Sequence, residues 1–129
     1  HIVLPRVSPQ PYTRLAFEGA LEARDRGKAD AYNHRIFTAF FQDELDIGDA
    51  AVLSDCAADI GLDRTIFRTA LDGGIHRQEC EEQLRRAHDR FAINSVPTLV
   101  IDNRFSISGL VPKDALVSVF REQLAAVAE

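Results

Sequence analysis

Apolar side chains recur at helical spacing through the first two thirds of the chain and then switch to a period of two. Residues 1–5 form a short extended entry, and prolines at positions 9 and 11 keep Ser8 and Gln10 out of the α region. A helix is predicted from about Tyr12 to Arg26, with Leu15, Phe17, Ala20 and Leu21 as its apolar positions and Gly27 as its stop. A second, from about Ala29 to Leu45, carries Tyr32, Ile36, Phe37, Phe40 and Phe41 as one wide buried stripe. Asp49 is placed to cap a third helix whose inner face is Val52, Leu53, Cys56, Ala57 and Ile60, with Gly61 following its end. Asp63 caps a fourth, with Ile66, Phe67, Ala70 and Leu71 inward and Gly73-Gly74 closing it. A fifth, near His76 to Phe91, shows Cys80, Leu84, Ala87 and Phe91 at steps of four, three and four.

Thr98 to Ile101 then reads as a short apolar strand. Asp102-Asn103 form a turn, and Arg104 to Ser108 alternate, with Phe105 and Ile107 on one side. Pro112 pre-sets a last helix, running to Glu129, whose buried side is Leu116, Val119, Phe120, Leu124 and Val127. Five helices, one hairpin and one closing helix make a mostly helical α+β chain. A lone hairpin is marginal in water. These two strands are therefore expected to extend a sheet whose other strands come from residues upstream or from another chain.

Size and charge narrow the classes. The chain has 129 residues, the length of one domain, and its 46% hydrophobic and 27% charged content is that of a soluble globular protein. A net charge of −5 gives no field that would draw nucleic acid. No apolar run approaches the ~20 residues that span a bilayer, and no basic-then-apolar leader opens the chain. The absence of methionine and the start at His1 point to residues missing upstream.

The chemistry-bearing candidates are few. Val96-Pro97 stands directly before the first strand, where a proline opens a strand without breaking a ladder. The Val96–Pro97 bond is expected to be cis in a tight turn. There are two cysteines, Cys56 and Cys80, and no Cys-x-x-Cys. Each lies on its helix's apolar stripe, so both are expected to be inert, buried and reduced, which fits a cytoplasmic protein. His76 and Cys80 share a helix face at i, i+4, but His88 lies about 120° round the helix from His76, so no metal site is expected. Tyr32-Asn33-His34-Arg35 reads as an ordinary helix edge, Phe37, Phe40 and Phe41 as core, and Asp43, Glu44 and Asp46 as solvated acids.

Ser95-Val96-Pro97-Thr98, the hairpin, and the closing helix together resemble the C-terminal half of the DsbA-like thioredoxin-fold oxidoreductases. In that family an all-helical insert separates a βαβ half, which carries Cys-x-x-Cys, from a ββα half that begins at a cis-proline. The resemblance implies a thioredoxin-like fold without its first βαβ half. Residues 1–93 correspond to the helical insert and residues 94–129 to the ββα part. Ser8-Pro9-Gln10-Pro11-Tyr12, Tyr32-Asn33-His34-Arg35, Phe40-Phe41-Gln42, Asp46-Ile47-Gly48-Asp49, Gly61-Leu62-Asp63 and Ser108-Gly109 before Pro112 are similar to the FrnE-like branch. The implied activity is thiol–disulfide exchange by the parent protein. In this chain Val96 and Pro97 are the substrate-binding residues, with no catalytic residue, metal or cofactor present. The implied partners are a protein or small-molecule thiol or disulfide, and a second copy of the chain through its strand edges; nucleic acid and membrane are not among them. A second reading is the related glutathione-dependent isomerases and kappa-type glutathione transferases, which use a serine in place of the first cysteine. Their glycine, any residue, Asp-Arg turn is not matched by Gly109-Leu110-Val111-Pro112-Lys113-Asp114. A third is a non-enzymatic helical binding module on the same fold.

Overall fold

Two aspartates start two helices by the same chemistry. The first backbone N–H groups of a helix have no partner within it, and a carboxylate just ahead can accept them. In the computed structural model, which describes residues 4–127, Asp49 accepts from Ala51 N–H at 2.7 Å. Asp63 accepts from Thr65 and Ile66 N–H at 2.9 and 2.8 Å. They open α3 (Ala50–Asp59) and α4 (Arg64–Gly73), and α4 ends where Gly74 turns left-handed at φ 60°. Asp63→Ala is expected to cost about 1 kcal/mol, read as a lower urea midpoint at unchanged slope.

Before them run α1 (Arg14–Asp25) and α2 (Ala29–Phe41). The first starts two residues later than the pattern predicts, because the Tyr12 backbone lies against Gly48, where a Cβ would meet Tyr12 N and O at 3.3 Å. The second stops at Phe41 instead of Leu45. Asp43 N–H donates back to Thr38 O at 3.0 Å and Leu45 N–H to Ala39 O at 2.8 Å, with Glu44 at φ 54° between them. This unwinding turns Leu45 and Ile47 toward the core, where Ile47 is buried and Leu45 packs against it.

The core lies among these four helices. Tyr32 and Phe67 meet with ring centroids 5.4 Å apart, and Leu53, Cys56, Ala57, Ala23, Ala39 and Leu71 surround them. Phe37 does not join them. It is 64% exposed and stacks on Phe41 at 6.2 Å. It follows Tyr32 by five residues, about 140° round the helix from the Tyr32–Ile36–Ala39 stripe. Ile66, one residue ahead of the Phe67–Ala70–Leu71 stripe, is exposed for the same reason; Leu84 is exposed although it follows the buried Cys80 by one helical turn.

The chain separates into two compact units, residues 1–83 and 84–129, and α5 (Arg77–Phe91) runs through the division. In the second unit β1 (Thr98–Ile101) pairs antiparallel with β2 (Phe105–Ser108), Thr98 opposite Ser108 and Ile101 opposite Phe105. Asp102 and Asn103 both have φ near 50°, and Arg104 N–H donates to Ile101 O at 3.1 Å, the sense of turn that matches strand twist. After it, α6 (Lys113–Val127) closes the described chain. Its apolar side is not buried: Leu116 and Val119 are half-buried, while Phe120 is exposed and Leu124 is 72% exposed. Two strands are too narrow to cover a helix face. The side chain of Val127, the continuation of α6 to Glu129 and the extended entry at residues 1–3 lie outside the described residues.

Candidate functional site

The turn ahead of β1 is assembled by the residues on either side of it. At the end of α5, Ala92 takes φ 50°, and Ile93 N–H reaches back to Ala87 O at 3.2 Å, which ends the helix and sends the chain into Ser95-Val96-Pro97. Thr98 Oγ1 donates to Ser95 O at 2.8 Å, closing the turn across Val96 and Pro97. On the far side Gly109 N–H donates to Pro97 O at 2.8 Å, tying the turn to the end of β2. The Val96–Pro97 peptide bond is cis, as is Ser8–Pro9. Val96 is 90% exposed, and among the described residues no hydrogen bond engages its backbone. Val96 is thus held in a defined, open turn at the start of a strand, and that turn carries no thiol.

The thiols are elsewhere and closed. Cys56 and Cys80 are free and buried. Burial pushes the Cys56 thiol up, Arg35 pulls against it, and Asp59 and Asp43 add to the rise. Burial likewise pushes Cys80 up, with Glu18 raising it further. Burial disfavours the thiolate at both, so neither is a ready nucleophile.

The Tyr32–Arg35 string does not act as one cluster. Tyr32 is in the core, Asn33 and His34 face solvent, and Arg35 donates from Nε to Asp59 and from Nη1 to Asp43, both at 2.8 Å. That guanidinium ties the end of α3 to the turn after α2. Among the described residues no group of three or more His, Cys, Asp and Glu side chains is arranged to hold a metal. His76 is engaged otherwise: its Nε2 lies 2.9 Å from Glu22 Oε2, both side chains being buried.

This polar pair, and Glu18 beside it, escape the sequence pattern. Glu22 also accepts from Arg26 at 2.9 Å, and Glu18 lies 3.3 Å from Arg14 Nε. The one signal was Arg14, Glu18, Glu22 and Arg26 at steps of four, in phase with the apolar side of α1.

A sequence profile of the DSBA-like thioredoxin domain matches residues 1–121. The chain belongs to this family. It is also 37% identical over 122 residues to the uncharacterized protein YwbO of Bacillus subtilis (strain 168), an alignment that takes in 95% of this chain. The chain spans 60% of that relative's length. Among the described residues the six helices and single hairpin are an α+β arrangement that this DSBA-like family accommodates. No described helix is long and apolar enough to cross a membrane.

Proposed function

We propose that this DSBA-like chain is the substrate-side portion of a thiol–disulfide oxidoreductase, presenting Val96 and Pro97 to a protein or small-molecule disulfide. The supporting observation is the open Val96 backbone at a braced turn in a chain of this family. Exposed extended backbone can take a peptide by strand-like pairing, with the flanking side chains setting preference. In this reading residues 1–93 are the helical insert and residues 94–129 the ββα part. The attacking thiol comes from residues outside the sequence described. Such a thiolate opens the substrate disulfide through a mixed disulfide, which a second thiol resolves. The order of local strings supports placement in the FrnE-like branch, and two buried, unbridged cysteines support a reducing, cytoplasmic setting.

The hairpin supports the same reading. Thr98-Leu99-Val100-Ile101 is nearly continuous in apolar character, as in a strand covered on both faces, whereas β2 alternates Phe105 and Ile107 with Ser106 and Ser108. In the parent protein β1 is then an interior strand, paired on its free edge by an upstream segment. A second copy of the chain is the other partner that would satisfy that edge.

Insulin reduction with dithiothreitol tests the assignment. The chain alone is expected to give no turnover above dithiothreitol. The parent with its upstream residues is expected to be active and to lose that activity when its upstream Cys-x-x-Cys is replaced by serines. Turnover by this chain alone would overturn the assignment. A parent with serine at the first position would favour the glutathione-linked relatives, and one with neither would favour a binding module.

A further inference from the structure

Pro97 leaves the mouth of the hairpin one hydrogen bond short. Thr98 faces Ser108 in the register, so Pro97 faces Gly109. Gly109 N–H donates to Pro97 O at 2.8 Å, and an antiparallel pair bonded in this way normally returns a second bond from the opposite N–H. Proline has no N–H to return. The restraint comes instead from the Thr98 side chain. Its Oγ1 donates to Ser95 O at 2.8 Å and lies 3.4 Å from Ser108 Oγ. A hydroxyl has one hydrogen, and that of Thr98 is spent on Ser95, so Ser108 is the donor at the second contact. Ser108, Thr98 and Ser95 thus form a line from β2 across β1 to the residue ahead of Val96.

The line ends on the carbonyl that governs Val96. The Ser95–Val96 peptide is trans, and a planar trans unit points its C=O and N–H in opposite directions. Fixing Ser95 O toward Thr98 therefore aims the Val96 N–H away from it and uses none of the Val96 groups. We propose that Thr98 is the positioning residue of the substrate turn: its hydroxyl, steadied by Ser108, orients the Val96 backbone for pairing with an extended substrate. This role rests on Val96 and Pro97 being the substrate-binding residues. Thr98 itself touches no reacting atom and acts through Val96. Ordering a loose turn at the moment of binding costs free energy, and a turn ordered beforehand avoids it. The gain is equal for bound substrate and transition state, so it lowers KM and leaves kcat alone.

The test uses the parent with its upstream residues, insulin as the disulfide, and amide exchange at Gly109 as a readout free of turnover. Thr98→Val removes the hydroxyl and keeps the branched shape, whereas Thr98→Ser keeps the hydroxyl. With Thr98→Val, KM for insulin is expected to rise about fivefold at nearly constant kcat, the size of one neutral hydrogen bond. Thr98→Ser should keep KM within about twofold of the native value. Ser108→Ala should raise KM about twofold, and add nothing once Thr98 is replaced by valine. Gly109 exchange should quicken about fivefold in Thr98→Val and not in Thr98→Ser, with the Ile107 amide unchanged in both. In an active enzyme, a KM that Thr98→Val leaves unaltered overturns the proposal, as does a KM that rises equally with serine. A native parent that reduces no insulin overturns the oxidoreductase reading instead, and Gly109 exchange then decides the role of Thr98. Exchange quickened by valine and not by serine supports it; exchange that Thr98→Val does not move overturns it.

Discussion

Gly19→Ala is expected to destabilise the chain by about 3 kcal/mol, the high end of what overpacking a core usually costs. Gly19 is the point on α1 where the Tyr32 ring comes closest. A Cβ there would lie 2.9 Å from Tyr32 Cζ and 3.0 Å from Phe67 Cζ, nearer still to the Tyr32 hydroxyl. Neither ring has room to withdraw, since both are fully buried and packed on each other. The Tyr32 hydroxyl has no hydrogen-bond partner among the described residues, and burial pushes its pKa far up. Tyr32→Phe alone should therefore be close to neutral or slightly stabilising. In the Gly19→Ala background the same change should recover about 1 kcal/mol or more, because it removes the nearest clashing atom. Urea midpoints of the two single variants and the double variant complete the cycle. Additive effects would show that hydroxyl and methyl do not meet.

The second large effect belongs to the buried pair. Glu22→Ala leaves His76 without its partner, and His76→Ala leaves Glu22 with Arg26 alone. Each is expected to cost about 3 kcal/mol, since a buried polar group that loses its partner keeps its desolvation cost. Replacing both together, Glu22→Leu with His76→Leu, should cost far less than the sum of the two single changes. Thermal and urea unfolding of the four proteins measure this coupling. Single-variant losses that simply add would place the two side chains out of contact.

The sequence makes α3 and α4 legible because their start signals are local: Asp49 and Asp63 reach N–H groups two and three residues on. The hairpin is legible for the same reason, through Asp102-Asn103 and the change of period. The end of α2 is not, because Glu44 takes a left-handed conformation with no glycine to announce it. Phe37 misleads because an aromatic beside a buried stripe looks like part of it until its angle round the helix is fixed. Val96 and Pro97 stand out in the sequence as one short block. The Glu22–His76 pair joins residues 54 apart, and nothing in α1 or in the turn before α5 marks the partner in the other.

Arg35 carries a consequence for what the position can become. Its guanidinium donates from two different nitrogens to two acids that come from different parts of the chain, Asp59 at the end of α3 and Asp43 after α2. A planar fork spans two acceptors at once, whereas an ammonium group is a single point of charge on a flexible stem. Lysine would conserve the charge and lose one of the two connections. The most conservative-looking exchange at this position is therefore not a silent one. Its neighbours Asn33 and His34 face solvent, and among the described residues their side chains make no such connection.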